Sequence, residues 1–122
     1  MTPSARSITA MRETGWHPEN VERFNHWTKR RHDLFGFADI VAMKSGKTPL
    51  LIQTTSNSNF SARKRKVLES PLAALALSGG FRIMLHGWGK HKVKRGGKAV
   101  RWMLREEEIT IDQFSDLAKA QR

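Results

Sequence analysis

The chain has 122 residues, of which 22 are Lys or Arg and 11 are Asp or Glu, so its formal net charge is +11. We expect residues 1–122 to form a single domain, because this length suffices for one hydrophobic core. The lack of cysteine excludes disulfides, thiol nucleophiles and cysteine-ligated metal sites. No apolar run reaches the roughly 20 residues of a membrane helix, and residues 1–14 do not resemble a signal peptide. These features predict a basic cytoplasmic protein without a membrane partner.

The positive charge is concentrated in the first 105 residues. Residues 1–105 carry 20 basic and 6 acidic side chains, and no acid lies between Ser70 and Arg105. A field of one sign favours a polyanionic partner, most often nucleic acid. The charge alone does not distinguish DNA from RNA as the partner. The alternative to nucleic-acid binding is a basic surface that serves only solubility or assembly.

The first predicted element is a helix. Thr2-Pro3-Ser4 is typical of a helix start, and this helix is expected to extend to Gly15. A strand around residues 21–24 is predicted next, followed by a polar connection over 28–31.

The middle of the chain alternates strands and helices. The predicted elements are a buried strand over 37–43, a turn at 45–47, a returning strand over 49–55, a helix from the Asn57-Ser58-Asn59 cap to Leu68, and a short helix over 71–77.

The last third is predicted to contain two strands and a helix. The strands are expected over 81–88 and 99–104, joined by a Gly- and Lys-rich loop over 89–98. Residues 106–108 are expected to form a solvated turn, or to pair with basic groups. The final helix is expected to be capped by Thr110 or Asp112, with its inward side chains at Phe114, Leu117 and Ala118. This order predicts an α/β domain with a mixed sheet and helices on its faces.

Asp39 is the most informative residue, because it is an acid in an otherwise apolar predicted strand. An isolated buried carboxylate is heavily penalised, so Asp39 must be hydrogen-bonded, paired or bound to a cation. Its side chain is expected on the same face as Phe37 and Val41. Gln53 and Thr55 share a face of the returning strand and are expected to meet Asp39 across the ladder. Such oxygen ligands suit Mg²⁺ or Mn²⁺.

Asp33 and Gln53 each have two interpretations. Asp33 is either a second metal ligand or the cap of a turn. Gln53 is either a metal ligand, with Asp39 and Asp33, or a satisfied buried amide.

This layout resembles the PD-(D/E)XK nuclease superfamily, and within it the archaeal-type Holliday junction resolvases and small phage nucleases. That family has a helix with Glu, an Asp on a strand, Glu-x-Lys on the partner strand, and a basic helix. Asp39 in Gly36-Phe-Ala-Asp39 matches the strand Asp, and Gln53-Thr-Thr55 stands where Glu-x-Lys is usual. Residues 63–66 fall on the following helix. The similarity spans roughly residues 10–88.

The resemblance implies a restriction-endonuclease-like mixed central sheet flanked by helices, in a bacterial or phage-like protein. It implies a magnesium-dependent endonuclease that hydrolyses DNA phosphodiesters, with branched DNA as a candidate substrate, acting as a homodimer through residues 71–77. The implied catalytic residues are Asp39, Gln53, Thr55 and Glu13, with Glu22 as the second choice for the helix acid.

Two departures from the family pattern leave a second hypothesis open. Gln53 offers a neutral oxygen in place of a carboxylate, and Thr55 replaces the Lys. Lys44 or Lys64 could supply the missing charge. The alternative is a nucleic-acid-binding module of the same fold with weakened or absent catalysis.

Nucleic-acid contacts are expected from the basic helix and from the Gly- and Lys-rich loop, with DNA favoured over RNA. The residues are Arg63, Lys64, Lys66, Lys90, Lys92 and Arg95. The four Trp are expected to pack in the core or at its edge, with base stacking as the alternative for Trp88. The five His lack the spacing of a zinc site.

Overall fold

The computed structural model describes residues 1–114, and its centre is a mixed five-stranded sheet. The strands of this sheet are β1 (His17–Asn20), β4 (Ile40–Met43), β5 (Leu50–Ser56), β6 (Arg82–Lys92) and β7 (Val100–Ile109). Their order is β1-β4-β5-β6-β7, and neighbours are antiparallel except for the parallel pair β5 and β6. A separate hairpin consists of β2 (Arg23–Asn25) and β3 (Arg30–His32).

Helices cover both faces of the sheet. They are α1 (Pro3–Glu13), α2 (Phe60–Glu69) and α3 (Pro71–Ser78). One face carries α1, whereas α2 and α3 lie on the other and connect the parallel strands β5 and β6. The predicted α/β class with a mixed, helix-flanked sheet is therefore confirmed. Among the described helices, none combines the length and the apolar character that crossing a membrane requires.

Local sequence explains where the helices begin and end. The Thr2 hydroxyl accepts a hydrogen bond from the Ala5 amide at 3.1 Å, which caps α1, and Pro3 occupies its first turn. After α1 the chain turns at Gly15, whose φ of +89° favours glycine. Ser70 is extended because Pro71 follows it, so α2 ends there and α3 begins.

The sheet separates two apolar clusters. The cluster under α2 and α3 includes the buried residues Phe37, Leu51, Val67, Ala73, Ala76, Ile83 and Ile109. The cluster under α1 consists of Met11, Ile40, Ala42, Leu50 and Ile52. Because β4 and the first half of β5 are covered on both faces, residues 40–43 and 50–52 are continuous apolar runs.

The structure corrects the predicted elements before Asp33. The strand expected around residues 21–24 corresponds in part to β2, whereas β1 at His17–Asn20 and β3, which begins within the connection expected over 28–31, were not predicted. All three residues of β3 are exposed and basic, so hydrophobic patterning does not reveal this strand.

The last two strands are longer than predicted. β6 and β7 stay paired beyond the end of β5, and the connecting loop is limited to residues 93–99. The expected turn at 106–108 is wrong, since these residues lie in β7, where Glu107 pairs with Lys64 and Glu108 with Arg82. Residues 111–114 are helical, and Phe114 packs against the core. The predicted inward positions Leu117 and Ala118 lie outside the described residues.

Candidate functional site

The carboxylate of Asp39 lies at the junction of β4 and β5 and is 4% exposed. Three donors converge on its Oδ2: Gln53 Nε2 at 2.8 Å, the Thr54 amide at 2.8 Å and the Thr54 hydroxyl at 2.9 Å. The predicted meeting of Gln53 with Asp39 is confirmed. Sequence reasoning missed Thr54, because strand alternation points its side chain to the other face. These three bonds hold the carboxylate in one orientation.

Gln53 is buried, and its amide is only half satisfied. Its Nε2 also donates to the Thr54 carbonyl at 3.1 Å. Its Oε1 is buried and finds no hydrogen-bond partner among the described residues. A buried carbonyl oxygen of this kind is ordinarily satisfied by a water or another small ligand. The interpretation of Gln53 as a satisfied buried amide therefore holds for its Nε2, which bonds Thr54 and Asp39, and not for its Oε1.

Asp33 is brought back toward Asp39 by a tight turn. Leu34 and Ala38 form an antiparallel bridge, with the Leu34 amide donating to the Ala38 carbonyl at 2.8 Å. The turn between them uses Phe35 and Gly36, both with positive φ. As a result the two aspartates flank the same bridge. The predicted strand over 37–43 begins only at Ile40 for the same reason.

Glu22 completes a cluster of three acids. Glu22, Asp33 and Asp39 each offer one carboxylate oxygen, and these oxygens lie within 4.8 Å of one another. Burial raises the pKa of Asp39 to about 7, and the neighbouring Asp33 adds to this rise, while the Thr54 amide opposes it. Three carboxylates this close repel one another, so they need protons or cations between them.

Basic side chains surround the acidic cluster. Arg31 Nη1 lies 3.2 Å from Glu22 Oε1, and Lys66 Nζ lies 3.3 Å from Asp33 Oδ2. Both residues and Arg63 line the cavity of about 540 Å³ that contains the three acids. The first turn of α1 also borders it, where Ser4 Oγ lies 2.9 Å from Thr54 Oγ1.

Several of the residues predicted to act at the site lie elsewhere. Glu13 lines a different cavity, beside His86 and Arg82, and Glu22 takes the place expected for it. Lys44 Nζ donates to the Thr14 carbonyl at 2.8 Å, and Lys64 pairs with Glu107 at 2.7 Å. Neither lysine therefore supplies the charge missing at Thr55.

Thr55 and the basic helix α2 both border the acidic cavity. Thr55 is buried and lines the cavity, but the hydrogen bonds to Asp39 come from Gln53 and Thr54, so the expected contact of Thr55 with Asp39 is not formed. On α2, Arg63 and Lys66 face the cavity. The lysine nearest the acids is thus Lys66, which the sequence analysis assigned only to nucleic-acid binding.

The donor set fits a hard divalent cation. The available atoms are carboxylate oxygens of Glu22, Asp33 and Asp39. Carboxylate and carbonyl oxygens are the ligands that Mg²⁺ and Mn²⁺ prefer, whereas zinc favours nitrogen and sulfur. These residues could hold such an ion at the floor of the cavity.

The predicted basic loop is a projecting two-stranded arm, which we define as residues 89–103. Lys90, Lys92 and Arg95 are all exposed on it. Trp102 lies on the same arm, with the Arg6 guanidinium carbon 3.7 Å and Lys90 Nζ 5.4 Å from its ring centroid. The arm extends past the last residue pair between β5 and β6.

The tryptophans differ in their burial and in their contacts. Trp88 is buried and donates its Nε1–H to Ser7 Oγ at 2.9 Å, so the alternative of base stacking at Trp88 is wrong. Trp16 packs against the core cluster under α1. By contrast, Trp27 is 95% exposed, and the expectation that it packs in the core is wrong.

Comparisons with family models, with curated proteins and with solved structures give no match for this chain.

Proposed function

We propose that this chain has a restriction-endonuclease-like fold and is a metal-dependent nuclease. It would bind DNA and hydrolyse DNA phosphodiesters with Mg²⁺ or Mn²⁺. The observation that carries the proposal is the convergence of Glu22, Asp33 and Asp39, whose carboxylate oxygens lie within 4.8 Å of one another. A mixed sheet with helices on both faces and an acidic site at one end of β4 and β5 is consistent with that fold.

A bound divalent cation would supply an activated water and stabilise negative charge on the phosphate. The residues of the chain would orient and hold the substrate around it. Asp39 is fixed by three hydrogen bonds to Oδ2 and so keeps its orientation as a ligand. Arg63 and Lys66 on α2 face the cavity as phosphate-binding cations. The first turn of α1 adds the positive end of a helix dipole.

The positive charge outside the cavity supports a nucleic acid as substrate. The arm over residues 89–103 carries Lys90, Lys92 and Arg95 at its surface, and none of its residues is acidic. A homodimer is part of the proposal, with α3 as its surface. Leu72 and Leu75 on α3 are 41% and 63% exposed.

A binding module without catalysis is the second candidate, and one observation favours it. Two of the three acids already pair with Arg31 and Lys66, and Gln53 stands in place of a carboxylate. Both features weaken the attraction for a metal ion. In this case the cavity would hold a phosphate without hydrolysing it.

The first experiment measures metal binding by thermal unfolding. Addition of Mn²⁺ is expected to raise the Tm of the wild-type chain by several degrees, because a ligand that binds only the folded state stabilises it. Glu22→Gln and Asp33→Asn should each remove most of this increase. Glu13→Gln is the matched control, since Glu13 lies in another cavity, and it should keep the full increase. Equal losses in Glu13→Gln and Glu22→Gln would contradict the assigned site.

The second experiment measures cleavage of single-stranded, duplex and four-way-junction DNA with Mg²⁺, Mn²⁺ or chelator. Metal-dependent cleavage that is lost in Glu22→Gln and Asp39→Asn but kept in Glu13→Gln would support the proposal. Salt-dependent binding without cleavage under either metal would overturn the nuclease and support the binding module. Absence of nucleic-acid binding by the wild-type chain would overturn both.

A further inference from the structure

The hairpin over residues 23–32 connects two members of the acidic cluster. Glu22 immediately precedes it and Asp33 immediately follows it, and Arg23 pairs with His32 at its base. The base of the hairpin therefore lies at the acidic cavity. Arg31 joins the two, since it pairs with Glu22 and lines the cavity.

The hairpin is basic along its whole length. It contains four Lys or Arg and two His and has no acid. The basic residues are Arg23, Lys29, Arg30 and Arg31, and all four are exposed. This charge distribution is complementary to a phosphate backbone.

Trp27 occupies the tip of the hairpin and is 95% exposed. The turn that carries it is well defined: Asn25 Oδ1 accepts hydrogen bonds from the Trp27 amide at 2.9 Å and the Thr28 amide at 3.2 Å. The Lys29 amide donates to the Asn25 carbonyl at 2.8 Å. An indole held outward in this way gains almost nothing from packing within the described chain. Both faces of the ring are therefore open to a partner that stacks on them.

We propose that Trp27 stacks on an unpaired nucleobase of a nucleic acid whose backbone lies along the hairpin and the acidic cavity. This inference rests on the proposed nucleic-acid binding, and it names the substrate class as DNA with single-stranded or unpaired bases. An indole stacks on the face of any base, so the contact selects unpaired structure and not sequence. Insertion into a regular duplex would first cost the unstacking of a base step, so paired DNA is the poorer ligand.

The length of the hairpin limits where that base lies. Trp27 is the fifth residue after Glu22, so the two Cα atoms are at most about 18 Å apart in a fully extended chain. At a stacked spacing of about 3.4 Å per nucleotide, this corresponds to a base within about five nucleotides of the phosphate at the cavity.

Affinities for a labelled single-stranded oligonucleotide and for its duplex, measured by fluorescence anisotropy in chelator, test the proposal without any cleavage. Trp27→Ala is expected to weaken single-strand binding by about fivefold to a hundredfold and duplex binding by less than about twofold. Trp27→Phe should keep most of the affinity, because it keeps a ring. Met43→Ala, which removes an exposed apolar side chain from the far end of β4, is the control and should change neither affinity.

The salt dependence distinguishes stacking from a disturbed hairpin. Trp27→Ala removes no charge, so the slope of log K against log salt should stay unchanged, whereas a displaced basic hairpin would flatten it. Equal losses for single strand and duplex, equal losses in Trp27→Ala and Trp27→Phe, a flattened slope, or no loss at all would overturn the stacking role. No binding by the wild-type chain would overturn the proposed function as well. Binding without cleavage would overturn only the nuclease, because stacking is measured in chelator.

Discussion

At the scale of single residues, a buried histidine next to α1 illustrates how the interior fixes a protonation state. His86 on β6 is 3% exposed, and burial lowers its pKa to about 4. Its Nδ1 lies 2.9 Å from Ser7 Oγ, which accepts a hydrogen bond from Trp88 Nε1. The indole can only donate, so the Ser7 hydroxyl keeps its own proton for another acceptor, and the neutral His86 tautomer protonated on Nε2 offers that acceptor at Nδ1.

The histidine predicts a pH dependence of stability. Its pKa is about 4 in the folded chain and near 6.5 when unfolded, so below pH 6.5 the unfolded chain takes up a proton that the folded chain does not. The free energy of unfolding should therefore fall as the pH decreases from about 6.5 to 4, by on the order of 3 kcal/mol from this group. Asp39 has the opposite effect on stability over this pH range. Because its pKa is raised, the folded chain takes up a proton that the unfolded chain does not, so acidification increases the free energy of unfolding through Asp39.

Denaturant unfolding of the wild-type chain and of His86→Asn between pH 4 and pH 8 separates the two groups. Asp39 contributes equally to both proteins, so the difference between their profiles isolates His86. The wild-type chain should lose more stability on acidification than the variant. Parallel profiles would show that His86 does not remain neutral in the folded chain.

At the scale of elements, the approach of α2 to β6 places its basic side chains at the cavity. Phe60 begins α2 and packs directly on Gly87, where a Cβ atom would lie 2.5 Å from Phe60 Cδ2 and 2.9 Å from Asn57 Oδ1. Phe60 is buried, and the Arg105 guanidinium carbon lies 3.9 Å from its ring centroid. A glycine at position 87 therefore allows α2 to start close to the sheet, one turn before Arg63.

Gly87→Ala is expected to destabilise the chain by about 1–3 kcal/mol, because the buried ring of Phe60 has little room to move. Phe60→Leu in the same chain should relieve part of this clash. The double variant should then lose less stability than the two single variants together, as measured by denaturant unfolding. Additive losses would contradict the steric explanation.

At the scale of the whole molecule, positive charge lies at both ends of the sheet, but the acidic cavity lies toward only one of them. The arm over residues 89–103 and the acidic cavity lie toward one end of β5. The turn after β4 lies at the other end and carries Lys44 and Lys47. This arrangement provides a comparison at equal net charge.

Replacing Lys90 and Lys92 with Gln should reduce the magnitude of the slope of log K against log salt for DNA binding by about 1.5. Each lost phosphate contact lowers this magnitude by roughly 0.7–0.9, and the double variant loses two contacts. Replacing Lys44 and Lys47 with Gln removes the same charge from the opposite end and should leave the slope nearly unchanged. Equal reductions in the two double variants would indicate that DNA senses only the net charge.

Segments that are strongly apolar, or that are bounded by clear turn or helix-capping residues, were predictable from the sequence. The turn at 45–47, the returning strand and the two helices over 57–77 agree closely with β5, α2 and α3. The contact of Asp39 with Gln53 also followed from strand alternation. Glu22 could not be selected over Glu13, because the strands of the hairpin that returns the chain to the cavity contain one apolar residue, Phe24, and so have no hydrophobic period.

By itself the sequence determined the α/β class, the positive field and the presence of a constrained acid at Asp39, because composition and local periodicity encode these properties directly. Only the tertiary structure decided which acids meet, which lysine faces them and which tryptophan is left in solvent. Those outcomes depend on turns, register and helix approach, which bring together residues distant in the chain. The acidic cluster joins Glu22, Asp33 and Asp39 through a bridge and a hairpin, neither of which local hydrophobicity specifies.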